Sequence, residues 1–261
     1  MISVQLNPFA CQIGVTEVVL EMPEAPEAVE SNNALESLIT GAIAAASNHQ
    51  QLDLAFAILS PKDPHTLHAE EEKVQSTRTC EKKKVQFRLG RAAARLAFRD
   101  LDYEHSAPIL QGTAGEPLWP DGFTGSITHC DPWTVAVVAA SSNHLAIGID
   151  LESVRRVQVI DISDIICCDA ELRWVRGGSD FYTRLATIFS AKEALYKAVY
   201  PFCRRYIDFK EVEFSCPVDG LFYAEFVTCS AEGLFPQGLV VHSRQQGDLV
   251  FSFVIAELNK N

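Results

Sequence analysis

The chain has 261 residues, of which 48% are apolar and 21% charged, and a formal net charge of −12. This composition excludes a disordered chain, and the acidic balance argues against a protein whose whole surface binds nucleic acid. No apolar run approaches the roughly 20 residues that cross a bilayer, and the N-terminus lacks the features of a signal peptide. Eight irregularly spaced cysteines then indicate reduced thiols, so we expect a cytoplasmic protein without membrane contacts.

The charges are distributed unevenly along the chain. Residues 1–61 hold seven acids and no Lys or Arg, whereas residues 73–99 hold nine bases and one acid. A concentrated basic block in an acidic protein indicates a local site for an anion. A nucleic-acid-binding protein that uses this block is an alternative, but the overall charge and the lack of an aromatic-rich basic sheet motif disfavour it.

The first half of the chain predicts helices and a short strand. Residues 31–47 begin with polar capping residues and predict a helix, and residues 54–60 predict a buried strand that stops at Pro61. Apolar residues recur at helical spacing over residues 82–101, so a long helix is predicted there. Its basic stripe is, from spacing alone, best explained as a solvated face. The Gly- and Pro-rich residues 111–126 predict a loop.

The second half predicts another long helix and an antiparallel sheet. WTVAVVAAS and HLAIGIDLE, on either side of Ser142–Asn143, predict a tight hairpin. Residues 179–200 predict a helix that stops before Pro201. Two further hairpins are predicted around the turns PVDG and QQGD. This order of elements predicts an α+β fold of two lobes that meet near residues 141–146.

Two carboxylates end an apolar strand in the stretch AIGIDLES, residues 146–153. Asp150 and Glu152 are two apart and share a face of the strand, where like charges repel. Either the strand end is solvated or a positive charge lies between them. Carboxylate oxygens suit Mg²⁺, although a solvated strand end is the commoner meaning of such a motif by itself.

Two other motifs hold residue types that suit chemistry. In FSAKEALYKA, Glu193 and Lys197 are four apart and share one helix face. They either form an exposed ion pair, or Glu193 is a general base or metal ligand beside the cation of Lys197. In GSITHCDPW, Thr128 and His129 lie where a glycine-containing loop meets an apolar strand. The His suits phosphate binding, acid–base chemistry or a structural contact. Each motif by itself is a weak signal.

The order of the motifs is more specific than any one of them. The basic helix, PLWPDG, GSITH, GIDLE and FSAKEALYK follow one another in a pattern that resembles 4′-phosphopantetheinyl transferases of the Sfp/EntD type, and PLWP before GSITH resembles the EntD branch. The resemblance covers residues 78–200. It implies a monomer of two similar α+β lobes related by a pseudo-twofold axis, here residues 1–143 and 144–261, with the active site in the cleft between them.

The resemblance also implies an activity. Such enzymes, also called holo-carrier-protein synthases, transfer the 4′-phosphopantetheine arm of coenzyme A to a serine of an apo acyl or peptidyl carrier protein. The other product is adenosine 3′,5′-bisphosphate. The EntD branch implies carriers of nonribosomal peptide, polyketide or siderophore pathways. Mg²⁺ would be held by Asp150, Glu152 and Glu193, and Glu193 or a water that it positions would remove the serine proton. A coenzyme A-binding protein without catalysis is the remaining alternative.

The implied contacts to coenzyme A are basic or hydroxyl side chains. They are Lys83, Arg91, Thr128, His129, Lys192 and Lys197. By the same resemblance Arg91 contacts the 3′-phosphate, Thr128 holds the nucleotide, and His129 and Lys192 contact phosphates. Lys197 would stabilise the transition state or the leaving group, so that His129 and Lys197 join Glu193 as the catalytic set.

Two expectations concern basic residues outside this set. Arg95 and Arg99 have no counterpart in the pattern and are expected on the surface. Many relatives place a basic residue just before the proline of the PLWP-like loop, but here Glu116 precedes Pro117. Lys62 or another side chain would then have to supply that phosphate contact.

Overall fold

A computed structural model describes residues 32–46, 53–63, 65–76, 80–103, 107–141, 145–159, 161–215, 217–227, 235 and 238–257. The helices in these ranges are α1 (Asn32–Ala46), α2 (Ala69–Ser76), α3 (Glu81–Asp100), α4 (Val154–Val157), α5 (Ser163–Ile166), α6 (Asp169–Arg176) and α7 (Phe181–Cys203), with a 3₁₀ helix at Phe209–Glu211. The strands are β1 (Leu54–Leu59), β2 (Phe123–Cys130), β3 (Trp133–Ala140), β4 (Leu145–Ser153), β5 (Val212–Phe214), β6 (Leu221–Phe226), β7 (Leu239–Gln246) and β8 (Leu249–Glu257).

The strands form two antiparallel sheets, which confirms the predicted α+β class. Sheet A has the order β1–β3–β2, and sheet B has the order β4–β8–β7–β6–β5. The predicted α1, β1 and α3 agree with the structure to within one residue at each end. The polar helix α2 carries no apolar periodicity and was not predicted. The predicted loop 111–126 ends earlier than expected, because β2 begins at Phe123.

The predicted hairpin between β3 and β4 is wrong. β3 pairs with β1 along one edge and with β2 along the other, so neither edge is available to β4. β4 instead begins sheet B by pairing with β8. The tight turn that joins neighbouring strands lies between β2 and β3, at the cis peptide bond Asp131–Pro132. The chain therefore changes sheets between β3 and β4.

Helix α7 is longer than predicted, since Pro201 lies inside its last turn. A proline there lacks only the N–H that would reach the carbonyl of Lys197, a loss that the end of a helix tolerates. The helix ends at Cys203, and the backbone of the C-cap residue Arg204 is left-handed with φ of 51°.

Each sheet packs one long helix on one face, α3 on sheet A and α7 on sheet B. The opposite faces of both sheets share one apolar core, which includes Val137 from β3, Ile149 from β4 and Phe251 from β8. Helix α1 adds Leu38 and Ile39 to this core and packs against β7 and β8. The N-terminal helix thus covers sheet B although it precedes sheet A in sequence. The predicted lobe boundary at residue 143 separates α1 from the sheet that it covers, and the boundary stays a prediction.

The two sheets meet along β2 and β4. Ser126 Oγ accepts a hydrogen bond from the Ile149 amide at 3.1 Å, and Thr128 Oγ1 accepts one from the Leu151 amide at 3.1 Å. Both hydroxyls are buried. Side-chain oxygens therefore satisfy amides of β4 that no neighbouring strand pairs on this edge. The junction places β2 beside the carboxylates of β4.

Candidate active site

Helix α7 crosses β4 in close contact at Gly148. A Cβ at this position would collide with the carbonyl oxygen of Ala194, so only glycine allows the helix to lie this close. Ser190 Oγ, one turn earlier on the helix, donates a hydrogen bond to the carbonyl oxygen of Asp150 at 3.3 Å. This close packing brings Glu193 and Lys197 of α7 to the carboxylate-bearing end of β4.

Asp150 lies at the centre of the site and is only 4% exposed. Its Oδ1 accepts hydrogen bonds from Thr128 Oγ1 at 3.1 Å and from Lys197 Nζ at 2.7 Å. Lys197 also donates to the Ile149 carbonyl oxygen at 3.0 Å. The Asp150 Oδ2 atom is buried and has no hydrogen-bond partner among the described residues. Lys197 thus supplies the positive charge that the carboxylate pair requires, and Oδ2 is a buried acceptor with capacity for a cation or a donor.

Glu152 and Glu193 are electrostatically coupled to Asp150. Burial, together with the charges of Asp150 and Glu193, raises the pKa of Glu152 to about 8, although the charge of Arg156 opposes the shift. Burial, reinforced by Asp150, raises the pKa of Glu193 to about 7, while Lys197 opposes the shift. The structure therefore brings the three predicted acids into one electrostatic neighbourhood, although they come from residues some forty positions apart.

The fit of a metal ion rests on these acids. Within the described ranges, no group of three or more His, Cys, Asp or Glu side chains is arranged closely enough to hold one. Asp150, Glu152 and Glu193 therefore neighbour each other without forming a coordination cluster. Their donor set of hard oxygens and the unpartnered Oδ2 of Asp150 nevertheless suit Mg²⁺. In this structure, the ammonium of Lys197 is bound to the other oxygen of Asp150.

The raised pKa values predict how the stability of the metal-free protein depends on pH. Glu152 and Glu193 hold their protons more tightly in the folded chain than their ordinary pKa of 4.5 allows. Their contribution to stability is fully present below about pH 4.5 and is lost as the pH rises through 7 and 8. Thermal unfolding in EDTA should show a midpoint that falls by on the order of 5 °C between pH 5.5 and 8.5. A variant with Glu152→Gln and Glu193→Gln should lose most of this slope, whereas an equal slope in that variant would contradict the assignment.

Thr128 and His129 lie beside each other on β2 but serve different sides of the strand. Thr128 is 3% exposed and uses its hydroxyl on Asp150 and on the Leu151 amide. That geometry does not support its predicted contact with the nucleotide, because the hydroxyl proton and one of its lone pairs are already engaged within the protein. His129 is half-buried, with Nδ1 3.0 Å from Thr134 Oγ1. It packs over Gly90 of α3, where a Cβ would lie 3.3 Å from its Cε1.

Arg91 is buried beneath the loop that follows α3. Its Nε donates to the Ile109 carbonyl oxygen at 2.7 Å, its Nη2 donates to the Leu110 carbonyl oxygen at 3.3 Å, and its guanidinium lies 4.5 Å from the centre of the Phe87 ring. The side chain is 5% exposed. The predicted 3′-phosphate contact is not supported by this position, because these bonds hold the loop to the helix.

Lys192 does not reach the site. It is fully buried on another side of α7, where its ammonium donates to three backbone carbonyl oxygens and contacts Glu171. This position does not support the predicted contact of Lys192 with coenzyme A phosphates, because all three ammonium protons are engaged within the protein. The helical spacing in the sequence already indicated this. Lys192 and Lys197 are five apart and point about 140° away from each other on a helix, whereas Glu193 and Lys197 share a face.

The remaining bases of α3 divide between structure and surface. Arg99 is exposed, as predicted. Arg95 was expected on the surface but donates through Nη1 to both carboxylate oxygens of the fully buried Glu71, each at 2.8 Å. Sequence alone missed this pair because its partner lies on the unpredicted helix α2. Lys83 is half-buried in the first turn of α3.

Glu116 takes part in the loop before Pro117. Its Oε2 accepts a hydrogen bond from the Ala114 amide at 3.0 Å, and its backbone carbonyl accepts one from the Gly112 amide at 2.8 Å. Glu116 also contributes to raising the pKa of Tyr200 on α7, after the effect of burial. The Glu116 carboxylate therefore lies near enough to Tyr200 of α7 to act on it electrostatically. Lys62, the suggested substitute for a basic residue here, is exposed in the turn after β1.

A small pocket of about 20 Å³ adjoins Glu193 and Lys197 and was missed by sequence reasoning. Its other lining residues are mainly aromatic: Tyr196, Tyr200, Arg205, Tyr206, Ile207 and Phe209. The Tyr206 hydroxyl is buried without a hydrogen-bond partner in the described part of the chain. The mixture of charged and aromatic residues in YKAVYPFCRRY was the available signal. The pocket has room for about one water molecule beside the acids.

Two family models match consecutive parts of the chain. Residues 69–139 match the 4′-phosphopantetheinyl transferase N-terminal domain, and residues 146–252 match the 4′-phosphopantetheinyl transferase superfamily. The 4′-phosphopantetheinyl transferase PptT of Mycobacterium tuberculosis is 34% identical over 169 residues, which are 64% of this chain and 73% of that protein. The chain belongs to the 4′-phosphopantetheinyl transferases. The family predicted from the motifs is confirmed.

Two other relatives of this transferase have similar identities over smaller shares of their own length. Svp of Streptomyces mobaraensis is 33% identical over 64% of this chain and 69% of its own length. Enterobactin synthase component D of Escherichia coli K12 is 37% identical over 45% of this chain and 55% of its own. Across the described ranges, the transferase has no helix with the length and apolar character needed to cross a membrane.

Proposed function

We propose that this transferase moves the 4′-phosphopantetheine group of coenzyme A to a serine of an apo acyl or peptidyl carrier protein, with Mg²⁺ and with release of adenosine 3′,5′-bisphosphate. Relatives named for enterobactin synthesis support carriers of siderophore, nonribosomal peptide or polyketide pathways as substrates. A cytoplasmic location and a monomeric state stay predictions.

The observation that carries the proposal is the environment of Asp150. Asp150 is a buried carboxylate with one oxygen bound to Lys197 and the other without a partner among the described residues. It lies beside Glu152 and Glu193, and Glu193 also lines the pocket. Such an arrangement suits a reaction in which a polyanionic substrate and a cation meet. A purely structural strand end needs neither the buried acids nor the adjoining pocket.

The acids would hold the cation. Asp150, Glu152 and Glu193 are the proposed ligands, and when Mg²⁺ is bound it supplies charge stabilisation to the diphosphate as the phosphodiester bond breaks. Lys197 stays within reach of the same charge, because its ammonium lies at Asp150 and lines the pocket. Its positive charge would stabilise the leaving phosphate.

Glu193 is the proposed general base, directly or through a water. Burial and Asp150 raise the pKa of Glu193 to about 7 in the metal-free protein, and a bound Mg²⁺ would lower it and keep the carboxylate ionised, which suits acceptance of the serine proton. The small aromatic pocket beside it has room for about one water molecule, which suits a base that acts through a water. His129 and Lys83 are the proposed phosphate contacts on the α3 side, and both are only partly buried.

The test is a mass measurement on apo carrier proteins. Incubation of the transferase with coenzyme A, Mg²⁺ and a panel of apo acyl and peptidyl carriers should add about 340 Da to at least one carrier. The same carrier with its acceptor serine replaced by alanine should gain no mass, and EDTA should stop the reaction. If no carrier on a broad panel is modified, the proposed function is wrong.

A further inference from the structure

Lys192, the buried lysine of FSAKEALYKA, uses all of its hydrogen-bonding protons on other groups of the protein. Lys192 Nζ donates to the carbonyl oxygens of Ile166 at 2.8 Å, Phe209 at 2.6 Å and Val212 at 2.9 Å. It also lies 2.8 Å from Glu171 Oε2, and both side chains are almost completely inaccessible. An ammonium has three protons, and all of them are accounted for by these contacts. A phosphate could bind here only by displacing them.

Glu171 also has protein partners on both carboxylate oxygens. Its Oε1 accepts the Phe214 amide at 2.7 Å, and its Oε2 accepts the Cys168 amide at 2.7 Å and lies 2.8 Å from Lys192 Nζ. The ion pair therefore joins α7 to three separate segments: the end of α5, the start of α6 and the 3₁₀ helix with β5. A buried pair in which both carboxylate oxygens and all three ammonium protons have partners is the kind that proteins tolerate, and loss of one partner leaves an uncompensated charge.

This cluster adjoins the site in two ways. Lys192 directly precedes Glu193, so its anchoring sets the rotation of α7 about its axis and with it the direction of the Glu193 carboxylate. The carbonyl of Phe209 is one of its acceptors, and Phe209 lines the pocket together with Tyr206. One buried ammonium thus holds both the proposed base and the opposite wall of the pocket in register.

We propose that Lys192 and Glu171 form a buried positioning pair that aims Glu193 and the aromatic pocket wall, and that Lys192 is not a ligand of coenzyme A. The catalytic consequence rests on the proposed function. The pair acts through other residues, so its loss changes the catalytic rate and stability and leaves the affinity for coenzyme A nearly unchanged.

The experiment is a double-variant cycle on the full chain with three measurements: the thermal midpoint, the dissociation constant for coenzyme A with Mg²⁺ by calorimetry, and kcat with KM for coenzyme A. Lys192→Met should lower the midpoint by on the order of 10 °C, because it leaves Glu171 charged and unpaired. It should lower kcat by about tenfold or more and change KM for coenzyme A by less than about threefold. Adding Glu171→Gln should restore much of the midpoint and of kcat.

Two further variants sharpen the result. Lys192→Arg keeps the charge, so a phosphate ligand would tolerate it, whereas the closed cavity lined by three carbonyl oxygens should not accept the planar guanidinium. Lys210→Met removes an exposed lysine close to Phe209 and should leave all three measurements unchanged.

The outcomes separate the alternatives. A Lys192→Met protein with an unchanged midpoint and coenzyme A affinity weakened by about tenfold or more would overturn the proposal, as that is the signature of a phosphate contact. Should Lys192→Met fail to fold, the double variant decides: near-native affinity supports the positioning pair, and lost affinity refutes it. If the unmodified protein transfers nothing to any carrier, the proposed function fails, while the midpoint and affinity measurements still test the pair.

Discussion

Asp150→Asn is expected to lower the turnover of carrier modification by about a thousandfold or more while the protein stays folded. Asn keeps the volume of the side chain and an oxygen that can accept from Thr128 and Lys197, but it removes the charge that the proposed cation requires. Calorimetric titration of the variant with Mg²⁺ should show no binding under conditions in which the unmodified protein binds. Circular dichroism and the thermal midpoint check that the fold is retained.

The choice of Asn follows from the burial of Asp150. Asp150→Ala is a less suitable variant, because the side chain is 4% exposed and paired with Lys197. Alanine would also break that pair and leave the ammonium beside an empty space. Asp121→Asn, at an exposed loop residue, is the matched control and should leave activity unchanged. Full turnover in Asp150→Asn would refute the central role of this carboxylate.

Glu193→Gln is expected to reduce kcat by about a hundredfold to ten-thousandfold, the range attributed to a positioned general base. Gln preserves the shape of the side chain, but it cannot accept the serine proton. At limiting Mg²⁺, the rate of the unmodified protein should fall below neutral pH as protons compete with the cation for Glu193, because burial and Asp150 raise the pKa of this carboxylate to about 7 in the metal-free protein. Steady-state rates from pH 5.5 to 8.5 should show this acidic limb in the unmodified protein and its loss in the variant.

The control for this second prediction makes the same chemical change, Glu to Gln, on strand β6 of sheet B instead of helix α7. Glu225 of β6 is exposed, and Glu225→Gln should leave both kcat and the pH profile unchanged. A Glu193→Gln protein that keeps the acidic limb would show that another group gives rise to it. A variant with near-native kcat would remove Glu193 from the chemistry.

Much of the site could be predicted from local pattern. Alternation along β4 places Asp150 and Glu152 on one face, and four-residue spacing on α7 places Glu193 with Lys197, because strand and helix geometry fix these relations within a few residues. The same geometry already separated Lys192 from Lys197 around the helix. Its significance was hidden because the partners of Lys192 come from residues 166, 171, 209 and 212, and pairing over such distances leaves no local pattern.

The sequence by itself determined the types of most helices and strands, the family, and the three acids to consider at the site. Hydrophobic period and motif order are properties of residues close together in the chain. Only the tertiary structure decided which charged groups face the site. Arg91 and Arg95 share a basic stripe with exposed Arg99, yet the first two are used to hold a loop and to pair with Glu71. The sheet change between β3 and β4 was likewise decided by which strand edges were already occupied. Burial and partner choice depend on segments far apart in the chain, and these determine whether a charge binds a substrate or stabilises the fold.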